Sequence, residues 1–261
     1  MNSKPLDLNA VFGNAASQNL ITDQTLHTLT SMDLGDQIQN ALGLSADAIE
    51  SSEVFLLSIL VDDSSSIHQA GNEDNVRRGV NICLEALKHS KAENDILAHV
   101  TALNRGTIYP YRPIAQAPQL GQVNYQASGN TPLYDMSIAV LGTALAKERE
   151  FAAQGVPVRT ATLIVTDGAD YGSRKRPRDV ASLVADLKKR ENHIIAAMGI
   201  DDGGQTDFRK IFQSMGIDDR WILTPDNDPH SIREAFEVFS KSAVQASQGA
   251  ASFSKVSGFN P

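Results

Sequence analysis

The chain has 261 residues, of which 41% are hydrophobic and 21% charged, and its formal net charge is -8. That is apolar mass enough for one large domain, or one domain with an appendage, and the acidic balance argues against general nucleic-acid binding, which needs a basic face for phosphates. The one cysteine, Cys83, excludes a disulfide within the chain; it falls on the apolar stripe of a predicted helix and reads as a core residue in a reducing, cytoplasmic setting. Residues 1–10 hold no signal-peptide-like apolar run, and the longest apolar stretch, Val54 to Val61, is too short to span a bilayer, so no membrane segment is expected.

Residues 1–52 are polar, with helical patches at Gln24–Met32 and Gly35–Leu44, and read as a partly helical, partly ordered N-terminal extension. At Val54 the character changes. Val54 to Val61 is a continuous run rich in branched residues, as a strand buried on both faces requires. A helix follows with an apolar stripe of Val76, Val80, Cys83, Leu84 and Leu87. Ile96 to Leu103 is a second strand. Asn104-Arg105-Gly106 makes a turn into Thr107–Tyr111, whose Pro110 places it at a sheet edge. Thr131-Pro132 opens another helix, with Thr131 as the cap candidate and Pro132 at its first position. Val158 to Val165 is a third buried strand. A helix bearing Val180, Leu183, Val184 and Leu187 comes next, then a strand at Ile194–Ile200, a short helix at Phe208–Met215, a short strand at Trp221–Leu223 and a last helix from Asp228. Residues 53–244 thus form the main domain and 245–261, rich in Ser, Ala and Gly, a loose tail. Alternating strands and helices predict an α/β, doubly wound, mainly parallel central sheet with helices on both faces and one antiparallel edge strand. Ligands of such sheets collect at the carboxyl ends of the strands.

Two loops follow buried strands there. Asp62, Ser64 and Ser66 alternate after the first strand, so an extended backbone would point all three side chains one way. Asp167 ends the third buried strand in Thr166-Asp167-Gly168, and Thr131 stands at a helix start. Three hydroxyls and two carboxylates, without His or Cys, suit a hard divalent cation: Mg²⁺ above all, with Mn²⁺ or Ca²⁺ as alternatives.

Asp62-x-Ser64-x-Ser66, then Thr131 within Gly129-Asn130-Thr131-Pro132-Leu133-Tyr134-Asp135, then Asp167 within Leu163-Ile164-Val165-Thr166-Asp167-Gly168, resembles the metal-ion-dependent adhesion site (MIDAS) of von Willebrand factor type A domains of the intracellular prokaryotic type. The resemblance runs from about Val54 to Ser242. It implies a Rossmann-like fold in which Ser64, Ser66 and Thr131 ligate the metal through hydroxyls, Asp62 and Asp167 act mostly through waters, and an Asp or Glu of a protein partner completes the shell. It further implies a non-enzymatic adaptor in an intracellular assembly, such as one built with an AAA+ ATPase. Ser65 departs from the glycine common at that place in the family. Asp63 either adds negative charge beside the metal or faces solvent.

Taken singly, each part has a plainer reading: Asp62-to-Ser66 as a polar turn, Thr131 as a helix cap, Asp167-Gly168 as a turn. Their order along the chain favours the metal site. The basic run Arg174-Lys175-Arg176-Pro177-Arg178 is either a solvated loop or, near the metal rim, an attractor for an acidic partner. The six histidines show no metal-ligand spacing. A metal-dependent hydrolase or phosphoryl-transfer enzyme is the rival function; against it, the sequence has no Walker A loop, no G-x-S-x-G and no histidine base in the motif. A scaffold with a vestigial site is the third reading.

Overall fold

The computed structural model describes residues 5–248 and 258–259. Its centre is a six-stranded sheet in the order β3-β2-β1-β4-β5-β6, with β1 at Val54–Val61, β2 at Ile96–Ala102, β3 at Gly106–Pro113, β4 at Val158–Thr166, β5 at His193–Gly199 and β6 at Ile222–Leu223. All pairings are parallel except β2 with β3. β1 is buried along its whole length, which is why its sequence shows no polar alternation. The edge strand β3 carries Pro110 where the β2–β3 register shifts, so its missing N–H interrupts no regular ladder.

Helices α5 (Glu73–Lys88) and α9 (Pro229–Ser247) pack together as one layer, and α6 (Leu133–Ala152) and α7 (Pro177–Lys188) as another. From β1 the chain crosses to β2 on one side and later to β4 on the other. The carboxyl ends of β1 and β4 therefore flank a topological switch point, where open parallel sheets form their crevice. The expected fold class is the observed one.

The N-terminal segment packs on the α6–α7 layer as three helices: α1 (Leu8–Ser17), α2 (Asp23–Leu29) and α3 (Met32–Ala41). The first of them was not legible as a helix. Phe12, Leu29 and Ile38 are buried in the same core cluster as β1 and α6. Asp186 on α7 fastens α2: its Oδ2 accepts from Thr22 N at 2.8 Å, Thr22 Oγ1 at 2.9 Å and Thr25 Oγ1 at 2.7 Å. Burial opposes ionisation of Asp186, but these donors and Lys189 outweigh it and hold the carboxyl below its ordinary range. In the full chain, Phe12→Ala should cost about 3–5 kcal/mol in chemical denaturation. A loss under about 1 kcal/mol would mean that α1 rests on the surface and fills no core volume.

At the other end, α9 runs through Ser247, past the expected start of the tail at residue 245. Most of that tail, 249–257 and 260–261, lies outside the described residues. Phe259 packs edge-on against Trp221, centroids 5.1 Å apart. Among the described residues no helix is long and apolar enough to cross a membrane.

Candidate metal centre

The five predicted residues come from three loops, and the fold brings those loops together at the carboxyl ends of β1 and β4. Asp62 leaves β1 fully buried. Its Oδ1 accepts from Ser64 N at 2.8 Å and its Oδ2 from Thr166 Oγ1 at 2.6 Å, so both oxygens are fixed across the β1–β4 pair. Tyr125 closes the other side by donating its hydroxyl proton to the Asp62 carbonyl.

The expected extended backbone ends at Ser64. Ser64 is extended (φ -75, ψ 168), but Ser65 begins the short helix α4 (Ser65–Gln69). Ser64 and Ser66 therefore meet across a helix start, with their Oγ atoms 2.8 Å apart, and not by strand alternation. Ser66 Oγ also lies 2.6 Å from Asp167 Oδ1, to which it donates.

Thr131 likewise sits differently from its expected capping role. The residue capping α6 is Pro132, and α6 begins at Leu133. Thr131 stands one place earlier, joined to Tyr171 by a two-way backbone bridge: Thr131 N donates to Tyr171 O at 3.1 Å and Tyr171 N to Thr131 O at 2.8 Å. That bridge ties the Thr131 loop to the loop after Asp167. Thr131 Oγ1 and Ser66 Oγ are both 3.8 Å from the point where a Gly168 side chain would begin, so the two hydroxyls border the same small space.

Ser65 and Asp63, the residues between the predicted ligands, tie the loops together. Ser65 N and Oγ both donate to Gly129 O, at 3.1 and 3.2 Å, and Gly129 N donates back to Ser65 Oγ at 3.1 Å. Gly129 has φ 108, a conformation side chains avoid, which the turn into Thr131 requires. Asp63 does not face solvent, one of the two readings given for it: it is 2% exposed, and its carboxylate accepts from Asn104 N at 2.7 Å, Asn104 Nδ2 at 3.0 Å and Arg105 N at 3.0 Å. It secures the β2–β3 turn, and alternation along the extended chain turns it away from Asp62.

Among the described residues no positive charge acts on the two carboxylates of the site. Burial raises the pKa of Asp62 although Ser64, Thr166 and the backbone donate to it. Burial pushes Asp167 up to about 6; the Ser66 hydroxyl opposes this, and the neighbouring Asp62 and Asp202 reinforce it. No cation figures among the groups that set either value. Two buried carboxylates beside three hydroxyls form an oxygen-only donor set that fits a hard divalent ion, whose charge would offset theirs. Among the described residues no three His, Cys, Asp or Glu side chains cluster as metal ligands, here or elsewhere, so the donor set of this site depends on its hydroxyls.

Sequence reasoning missed Thr166, Tyr125 and Asp202. Thr166 stands within Thr-Asp-Gly and could have been singled out. Tyr125 lies in a Pro- and Gln-rich loop without periodicity, and nothing local marks it. Cys83 is fully buried, as expected, with its thiol pushed up to about 12 by burial.

The six-stranded mixed sheet, with its single antiparallel edge pair and flanking helices, is the von Willebrand factor type A form of the Rossmann-like fold. Solved structures with this likeness include the pilus adhesin SpaC of Lactobacillus rhamnosus GG in its open conformation, with a TM-score of 0.55 at 14% identity over 78% of this chain and 31% of the adhesin. Proximal thread matrix protein 1 of the mussel byssus matches with a TM-score of 0.50 at 16% identity, over 72% of this chain and 48% of that one. The vWF domain of the type V pili tip protein Mfa5 from Porphyromonas gingivalis gives 0.48 at 10% identity, over 76% and 98%. This chain thus spans less than half the length of the first two. No family model matches it, and no curated protein does. At such identities the likeness shows the fold, and function has to be argued from the site.

Proposed function

We propose that the chain is a metal-dependent protein–protein interaction module, in which a divalent cation held by Ser64, Ser66 and Thr131 binds an Asp or Glu of a partner. The observation that carries this reading is the convergence of three hydroxyls and two buried carboxylates, from three separate loops, on one small space. Mg²⁺ is the favoured ion, since all the donors are oxygen. When bound, the ion supplies a Lewis-acidic centre for the partner's carboxylate.

The chain's own part is positional. Asp62 fixes Ser64 through its backbone N–H, and Thr166 holds the second Asp62 oxygen. Ser66 can keep its proton on Asp167 while its lone pairs face the ion. Neutral hydroxyl ligands leave the ion electrophilic, while the two carboxylates balance its charge from one shell out. Binding is favoured over catalysis. Among the described residues the Ser64 and Ser66 hydroxyls bond to each other and the Ser66 hydroxyl to Asp167, and neither is bonded to a histidine. The single buried cysteine suits a cytoplasmic adaptor, and an assembly with an AAA+ ATPase remains the proposed setting.

Pull-downs with the full chain test this directly. Partners should be captured in Mg²⁺, lost in EDTA, and lost in an Asp167→Ala variant. Capture of the same partners at equal yield in EDTA would defeat the proposal.

A further inference from the structure

The loop after Asp167 carries features that holding a cation does not require. Tyr171 has its backbone pinned to Thr131 in both directions, yet it is 70% exposed. Among the described residues only Leu44, Val123 and Tyr171 are exposed large hydrophobics, and Tyr171 is the one bonded to a predicted metal ligand. An aromatic ring held on a fixed backbone and left in water is a common anchor in interfaces, because ordering it on binding costs little.

The basic run follows within the same loop, and that loop is built rather than loose. Asp135, in the first turn of α6, accepts from Arg174 N at 3.0 Å and Lys175 N at 2.8 Å. Ser173 Oγ accepts from Tyr134 N at 3.1 Å and Asp135 N at 3.2 Å. Asp179 Oδ2 accepts from Arg176 N at 2.9 Å. These acids are thus engaged by backbone N–H groups; Arg178 Nε lies 4.0 Å from Asp179 Oδ1 as a long, open ion pair, and Arg176 and Arg178 are exposed. Four cations within five residues, 174–178, stand on a chain of net charge -8. The same -8 sets a second copy of the chain against itself as a general partner.

We infer that residues 171–178 form a second recognition arm beside the metal, selecting partner segments in which the metal-bound Asp or Glu is accompanied by further acidic residues and an apolar or aromatic side chain. The inference rests on the metal-binding reading above. The ion fixes one carboxylate; Arg176, Arg178 and Lys175 attract its acidic neighbours; Tyr171 takes the apolar contact. The arm therefore contributes specificity and association rate more than anchorage.

Two fluorescent peptides of equal length test it on the full chain in saturating Mg²⁺. One carries a single central Asp in a Gly/Ser background; the other adds flanking Glu residues and a Phe. The second should bind about tenfold tighter, with an advantage that shrinks as salt rises. The Arg176→Glu/Arg178→Glu variant should abolish that advantage, and Tyr171→Ala should reduce it several-fold. Both should keep the Mg²⁺ affinity measured by calorimetry, which also shows that they are folded. An acidic peptide that binds no tighter than the single-Asp peptide overturns the arm, as does an advantage that survives in the variants. So does single-stranded DNA of matched charge that binds as tightly as the acidic peptide. Binding of both peptides that ignores EDTA overturns the metal reading instead, so the two failures are distinguishable.

Discussion

Asp62→Asn should lower Mg²⁺ affinity about 10–100-fold while leaving the metal-free protein at least as stable as the wild type at pH 7. The two effects have one cause. Asp62 is fully buried, and burial disfavours its charged form even with three donors around it. In the metal-free chain its charge is a cost, and with the cation present it becomes an attraction. Asparagine keeps the acceptor for Ser64 N at 2.8 Å, and the Thr166 hydroxyl can turn its proton to the Gly168 carbonyl, 3.0 Å away. The Asp167 N–H contact, at 3.4 Å, is long already and loses little. Calorimetric titration gives the affinity and urea denaturation the stability. If the variant binds Mg²⁺ as well as the wild type, Asp62 has no part in holding an ion. If the metal-free variant is several kcal/mol less stable, Asp62 is a structural turn-former and the plainer reading of the motif stands.

The second large effect is acid sensitivity set far from the site. His99 on β2 is 1% exposed, with neither ring nitrogen hydrogen-bonded among the described residues, and burial drives its pKa down to about 3. His193 on β5 is driven to about 3 by burial, with a smaller push from Arg190. Both are neutral in the fold and take up a proton on unfolding below about pH 6.5. Their contribution to stability is therefore complete above 6.5 and drains away as pH falls toward 3. Between pH 6.5 and 4.5 each should remove roughly 2 kcal/mol. Together that is a large part of the ~5–15 kcal/mol by which a domain is ordinarily stable. Asp62 and Asp167, with raised pKa values, work in the opposite sense and soften the fall. In His99→Phe, which keeps an aromatic against Tyr111, the loss over that range should shrink by about the share of one imidazole. Equal slopes for variant and wild type would mean that His99 protonates inside the fold.

Much of this was legible before folding was considered. β1 and β4 could be read because a strand buried on both faces is mostly apolar and branched without polar alternation: only Ser58 interrupts β1, and Leu163, Ile164 and Val165 carry β4 past its threonines. The stripe on α5 could be read because Val76, Val80, Cys83, Leu84 and Leu87 recur at helical spacing, and all five are buried. Helix α1 could not. Its apolar residues are diluted by Asn, Gly and Ser, and what orders it is burial of Phe12 against the α6 layer, distant in sequence. The start of α6 was misplaced by one residue because Thr131 has the chemistry of a helix cap, while its backbone is claimed by Tyr171.

What the sequence by itself determined was the kind of donor available, hydroxyl and carboxylate oxygen, and the two buried strands that deliver them to one edge of a sheet. What only the tertiary structure decided was which oxygens meet. Asp62 and Asp63 are chemically the same and adjacent in the chain, yet one turns to β4 and Thr166 and the other to the β2–β3 turn and Asn104. Side-chain type is local information. The direction in which a side chain finds its partners depends on loops that arrive from elsewhere in the chain, and those are placed only when the core closes.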